Sequence, residues 1–173
     1  MKSSWVIINS MFRRYIFLTI LMFVSSAHSA TQDIRLFQPG SYAQLLKQQE
    51  SQSFMLVFWS LDCPPCYKEL AMLAEEIKTQ PQLTLVLVST DTPDDISEIQ
   101  QKLAQFGFNN VNAWVFDRNS AQQLRYEIDP KWYGELPRSY LFDSRHQRQA
   151  ITGILKKSLL QSWADMQARN DNF

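Results

Sequence analysis

Twenty residues, Phe54 to Leu73, constrain the fold more than any other stretch: Phe-Met-Leu-Val-Phe-Trp-Ser-Leu-Asp-Cys-Pro-Pro-Cys-Tyr-Lys-Glu-Leu-Ala-Met-Leu. The first six, Phe54 to Trp59, form an apolar run rich in aromatic and β-branched residues, which suits a strand buried on both faces. From Leu70 the pattern changes: Leu70, Leu73, Ala74 and Ile77 recur with the spacing of one helix face. Between strand and helix lie the only two cysteines, Cys63 and Cys66.

That placement has chemical consequences. A helix start carries a partial positive charge and free backbone N–H groups, so a thiol there ionises more easily. The thiolate is the attacking species in disulfide exchange. Cys66, one turn on, faces back toward Cys63 and can resolve a mixed disulfide. Cys63 is therefore expected to be the exposed nucleophile and Cys66 the more buried resolving thiol. Pro64 and Pro65 fall in the first turn, where a missing N–H costs little, and they stiffen the loop between the sulfurs. Two other uses of the pair stay open: a structural disulfide, or half of a metal site. Zinc needs about four ligands, and the histidines are only His28 and His146. No metal ligand set is assigned.

Residues 1–30 read as a secretory signal peptide. Lys2, Arg13 and Arg14 form a positive start, Tyr15 to Val24 an apolar core, and Ser25 to Ala30 a small-residue cleavage region with candidate sites after Ala27, Ser29 and Ala30. The apolar run is shorter than the ~20 residues that span a bilayer, so no stable membrane anchor is expected after cleavage. The product is expected in an oxidising compartment, the periplasm of a bacterium. Residues 31–173 number 143, enough for one domain and too few for two. They carry 14 Lys and Arg against 17 Asp and Glu, a charge of −3 with no basic run. Nucleic acid and anionic membrane surfaces are poor partners for such a chain.

Taken in order, Ile34–Phe37 reads as a short edge strand. Pro39-Gly40 is a turn, and Ser41 is the expected N-cap of a helix to about Gln49. The helix after Cys63 should stop at Thr79, before Pro81. Leu83 to Ser89 is a second buried strand, parallel to the first. Thr92-Pro93-Asp94-Asp95 opens a helix that Gly107 ends. Ala113 to Phe116 is a strand and Ala121 to Tyr126 a helix. Ser139 to Phe142 and Arg148 to Gly153 form an antiparallel pair, and Lys156 to Gln167 is the last helix. The order predicts an α/β domain: a mixed sheet with helices on both faces.

These features resemble the thioredoxin superfamily. Trp59 to Cys66 is similar to its active-site segment, and Gly134-Glu135-Leu136-Pro137 to the loop that bears its cis-proline. The helix and strand between Thr92 and Phe116 are similar to the central insertion of exported TlpA-type reductases, including those of cytochrome c maturation. The resemblance implies a thioredoxin-like fold and a thiol–disulfide oxidoreductase with no cofactor beyond a redox-active Cys63–Cys66 disulfide. It implies that Cys63 attacks, Cys66 resolves, and Trp59, Leu136 and Pro137 meet the substrate, Leu136 pairing with an extended segment like an added strand. The implied partners are a protein disulfide substrate and a membrane thiol–disulfide electron donor, with the protein itself a monomer. Oxidase or isomerase activity is the alternative direction, and a non-catalytic metal chaperone or binding protein the alternative class.

Three positions depart from the family pattern. Val57 stands where thioredoxins bury an acid. Asp62 stands in place of the usual tryptophan, and Arg138 where cytochrome-maturation members often place an acid. Glu135 is either a substitute acid or, the preferred reading, a surface carboxylate. Trp132 and Tyr133 either shape a substrate groove or cover the core edge. Asp62 either opposes thiolate formation by its charge, accepting as an N-cap what N–H bonds Pro64 and Pro65 leave, or points into water and is screened. Together these tuning residues favour a modestly stabilised thiolate and a reducing potential.

Overall fold

The computed structural model describes residues 32–170; the signal-like segment Met1–Ala30 lies outside the described residues. Six strands make one mixed sheet: β1 (Ile34–Phe37), β2 (Phe54–Trp59), β3 (Leu85–Ser89), β4 (Asn112–Phe116), β5 (Arg138–Phe142) and β6 (Arg148–Thr152). Their spatial order is β1-β4-β3-β2-β5-β6. The β1–β4, β4–β3 and β3–β2 pairs are parallel; β2–β5 and β5–β6 are antiparallel. The expected parallel part and antiparallel edge are both present.

Among the described residues five helices cover the sheet: α1 (Ser41–Gln48), α2 (Pro64–Thr79), α3 (Ile96–Gln105), α4 (Ala121–Ile128) and α5 (Lys157–Asn170). Successive strand residues point to opposite faces, so the sheet divides the core in two. Met55, Val57 and Trp59 of β2 join Leu87 of β3, Val115 of β4 and the inward residues of α2, α3 and α5. Phe54, Leu56 and Phe58 join Val86, Trp114, Phe142 and the inward residues of α1 and α4. All six residues of β2 are buried, which is why its sequence shows no polar alternation.

Several boundaries move for physical reasons. Gly40, not Ser41, takes the N-cap position of α1, at φ 86°. Glycine enters that left-handed region without a Cβ penalty, so the turn runs straight into the helix. The Ser41 hydroxyl instead accepts the Gln38 N–H at 3.0 Å. Strand β3 begins at Leu85 rather than Leu83, because the Leu83 N–H turns back to the Gln80 carbonyl at 3.0 Å. Pro93–Asp95 forms a 3₁₀ turn ahead of α3, fastened where the Thr92 N–H and hydroxyl both donate to the Asp95 carboxylate. Helix α4 continues two residues past Tyr126 because Ile128, one turn after Leu124, is also core. Helix α5 likewise runs to Asn170 rather than Gln167.

Candidate active site

The ends of β2 and β3 and the start of β5 bring three loops to one end of the sheet. Phe58 pairs with Arg138 in the antiparallel ladder, so Pro137, the residue before Arg138, stands beside Trp59 at the exit of β2. The cysteine loop leaves from that exit.

Cys63 and Cys66 are joined by a disulfide, with their Cα atoms 5.3 Å apart. Pro64 and Pro65 are the first two helical residues of α2, which makes Cys63 the N-cap. Asp62 is therefore not the cap. The cap is the residue immediately before the helix, and Pro64, whose fixed φ suits the first helical position, starts the helix one residue too late for Asp62. With the prolines lacking N–H groups, the first amide of the helix is that of Cys66, and it donates to Cys63 Sγ at 3.2 Å. Asp62 is exposed and its own N–H donates to the Ser60 hydroxyl at 3.2 Å. Cys66 is fully enclosed and Cys63 is 7% exposed. The expected order of access holds, although Cys63 shows only a narrow surface. Pro64 and Pro65 are exposed beside it.

The loop before Cys63 is held by Asp91, at the exit of β3. Its carboxylate accepts the Ser60 hydroxyl at 2.8 Å, the Leu61 N–H at 2.9 Å and the Ser89 hydroxyl at 2.5 Å. The Tyr67 hydroxyl, from the first turn of α2, donates to the Leu61 carbonyl. The loop before Cys63 is thus tied both to the exit of β3 and to the first turn of α2.

Behind the disulfide lies a carboxylate that the sequence pattern did not single out. Glu69, one turn after Cys66 on α2, is fully buried. It accepts the Ser139 hydroxyl with one oxygen and the Leu155 N–H at 2.9 Å with the other. Ser139 is the ladder partner of Val57. The acid missing from position 57 is thus supplied over the same part of the sheet by the facing helix. Burial pushes the Glu69 carboxyl above its ordinary value, and the bonds from Ser139 and Leu155 pull part of the way back.

The remaining expected site residues separate. Trp59 is 1% exposed, so its side chain is core and offers substrate almost no surface. This corrects its assignment as a substrate contact; a strand buried on both faces leaves no outward position. The Leu136–Pro137 peptide is cis, and the Pro137 carbonyl accepts the Gly153 N–H at 2.9 Å. Leu136 is half-buried, and among the described residues its backbone N–H and C=O have no partner. Glu135 is exposed and its carboxylate accepts the Tyr133 N–H at 3.2 Å, so the buried acid is Glu69. Trp132 packs on Phe58, ring centroids 4.8 Å apart, and donates from Nε1 to the Glu135 carbonyl at 2.9 Å. Tyr133 is 84% exposed. Trp132 covers the core; Tyr133 faces out. Arg138 turns back to Asp129 at 2.7 Å. Among the described residues no three His, Cys, Asp or Glu side chains form a group that could hold a metal ion, and no helix is long and apolar enough to cross a membrane.

A family model described as "AhpC/TSA family" matches residues 33–150. No curated protein sequence matches. The fold is similar to a secreted Mycobacterium tuberculosis disulfide oxidoreductase homologous to E. coli DsbE, with TM-score 0.54, 15% identity, 69% of this chain and 85% of that one. A thioredoxin-family thiol:disulfide interchange protein from Chlorobium tepidum TLS gives TM-score 0.57 at 14% identity, covering 70% and 83%. A DsbF homologue from Corynebacterium diphtheriae gives 0.52 at 18%, covering 70% and 75%. At these identities the likeness is one of fold: a thioredoxin-like mixed sheet flanked by helices.

Proposed function

The chain belongs to the AhpC/TSA family, and from its active-site geometry we propose that it is an exported, periplasmic thiol–disulfide oxidoreductase that reduces protein disulfides. One observation carries the chemistry: Cys63 caps α2, with Sγ on the Cys66 amide. In the reduced protein that amide and the helix start stabilise a thiolate on the more accessible cysteine.

The Cys63 thiolate attacks one sulfur of the substrate disulfide. The substrate S–S bond breaks, a mixed disulfide forms on Cys63, and the departing substrate sulfur takes a proton. Cys66 then loses its proton and attacks Cys63 Sγ. This releases the second substrate thiolate and leaves the Cys63–Cys66 disulfide. Two electrons pass from the dithiol to the substrate. Glu69, buried one turn from Cys66 on the same helix with its carboxyl raised by burial, is our candidate for taking the proton of the resolving thiol. The free backbone of Leu136 is available to pair with an extended substrate segment.

A membrane thiol–disulfide carrier is the proposed electron donor, since an oxidising compartment does not regenerate a dithiol. The charge-neutral Val57 and the absence of a histidine between the cysteines favour the reducing direction. Titration against glutathione tests it. A potential near ~−120 mV, that of a strong periplasmic oxidase, overturns the reductase assignment. Cys66→Ser is expected to retain its substrate as a mixed disulfide, and Cys63→Ser to retain none. Faster alkylation of Cys66 than of Cys63 in the reduced protein reverses the two roles.

A further inference from the structure

Beside the cis-proline loop, α4 and residues 130–133 enclose a cleft of about 680 Å³, within the size range of ligand sites. Two tyrosines stand out from its walls, Tyr126 at 67% and Tyr133 at 84% exposure. Arg125 is the one charged residue of its lining, which also includes Gln122 and Asn119. Arg125 lies half-buried and makes no ion pair among the described residues. Its side chain packs against Gly134, where a Cβ would sit 3.5 Å from Arg125 Cδ. The φ of 106° at Gly134 further favours glycine. The cation is therefore seated against the backbone of the segment that leads into Leu136 and Pro137.

We propose that this cleft docks a segment of the polypeptide substrate that carries a carboxylate, and so selects substrates with an acidic residue near the reacting cysteine. The inference rests on the oxidoreductase function proposed above. Three features favour that occupant. A partly desolvated guanidinium with no carboxylate of its own is a ready partner for one, with bidentate geometry available. The tyrosines give rigid amphipathic contact area, and the neighbouring side-chain amides match peptide groups. The cleft wall and the unpartnered Leu136 backbone belong to one loop: Tyr133 is four residues from Pro137, at most ~14 Å of extended chain. A substrate segment that pairs with Leu136 lies within three residues of chain of Tyr133 in the cleft wall.

The test separates docking from redox chemistry. Ten-residue peptides with an S-alkylated cysteine, unable to exchange, carry Glu, Gln or Lys three to five positions from it on either side. Their binding to the full chain is read by fluorescence anisotropy. The Glu peptides are expected to bind about fivefold tighter than the Gln peptides, the scale of one partly exposed ion pair. Arg125→Lys should keep the preference, Arg125→Gln should abolish it, and Arg125→Glu should reverse it toward Lys. Tyr133→Ser should weaken all three peptides without changing their order. Equal binding of Glu and Gln peptides to the wild type, or an unchanged order in Arg125→Glu, overturns the proposal. Reduction of hydroxyethyl disulfide, an uncharged small substrate, is measured separately on the wild type. Its failure would count against the oxidoreductase function, while the peptide order still decides the cleft.

Discussion

Arg138 and Asp129 close the loop that carries Leu136 and Pro137: Nη2 of the arginine donates to Oδ2 of the aspartate at 2.7 Å, with both side chains close to nine-tenths buried. The pair is well satisfied. The Asp129 carboxylate also accepts the Lys131 N–H at 3.0 Å and the Tyr140 hydroxyl at 3.1 Å. Arg138 donates from Nε to Tyr140 at 3.0 Å and lies over its ring. Asp129→Ala leaves that arginine uncompensated and is expected to cost roughly 3 kcal/mol in urea unfolding. Adding Arg138→Met should recover most of the loss; no recovery would mean the pair is not what holds the loop.

The same carboxylate predicts a pH dependence. Burial raises the Asp129 carboxyl, but the Lys131 amide, Arg138, Tyr140 and the charge of Arg148 outweigh it, and the net shift is downward. A lowered folded value contributes stability above the unfolded value of 3.8, and that stability is lost as pH falls through the folded value. Asp129→Asn is therefore expected to flatten the acid side of the stability curve below about pH 4. An acid limb as steep as that of the wild type would contradict it.

Glu69 behaves in the opposite sense. Its folded carboxyl is raised, by burial first, against the bonds from Ser139 and Leu155. Its favourable state is thus present below the unfolded value of 4.5 and is lost as pH rises through the folded value. Glu69→Gln keeps an acceptor for Leu155 and cannot ionise. It should gain stability relative to the wild type as pH rises from 4.5 upward. It should also shift the pH profile of Cys63 alkylation, since a titratable group one turn from Cys66 has been removed. The pH profile of alkylation reads this directly; an unshifted profile would confine Glu69 to a structural role.

Asp91 gathers three donors in front of the disulfide. Asp91→Ala leaves the Leu61 amide and two hydroxyls without their acceptor. A loss of about 2 kcal/mol is expected. Exchange of the Leu61 amide should quicken by more than that of amides in β2. Unchanged exchange at Leu61 would show that the loop is held elsewhere.

Asp62 is exposed and does not cap α2, so its influence on the thiolate is screened. Asp62→Asn is expected to shift the redox potential by less than ~10 mV. A larger shift would restore Asp62 as a determinant of redox poise.

The Cys63–Cys66 disulfide is legible because its signals are local: a doubly buried strand, two prolines and two cysteines in a fixed order. Glu69 is not. On α2 it sits beside Lys68 and reads as a solvated face, and only the folding of Ser139 and Leu155 over it turns it inward. Arg138 was legible as a departure from the family, but its partner Asp129 lies nine residues away across a loop whose path no periodicity gives. Trp59 misled for a related reason. The family resemblance implies contact with substrate there, while the burial of its whole strand places its side chain inside.

The alternation along β2 gives the molecule two faces that can be altered separately. Odd positions 55, 57 and 59 share a cluster with both cysteines, and even positions 54, 56 and 58 share one with α4 and Trp132. A library that varies odd positions addresses the surroundings of the disulfide, and one that varies even positions addresses the packing beneath α4 and Trp132. Changes on opposite faces with no shared contacts should combine close to additively. A designer could vary the setting of the disulfide and the opposite face in parallel, then join the two solutions in one chain.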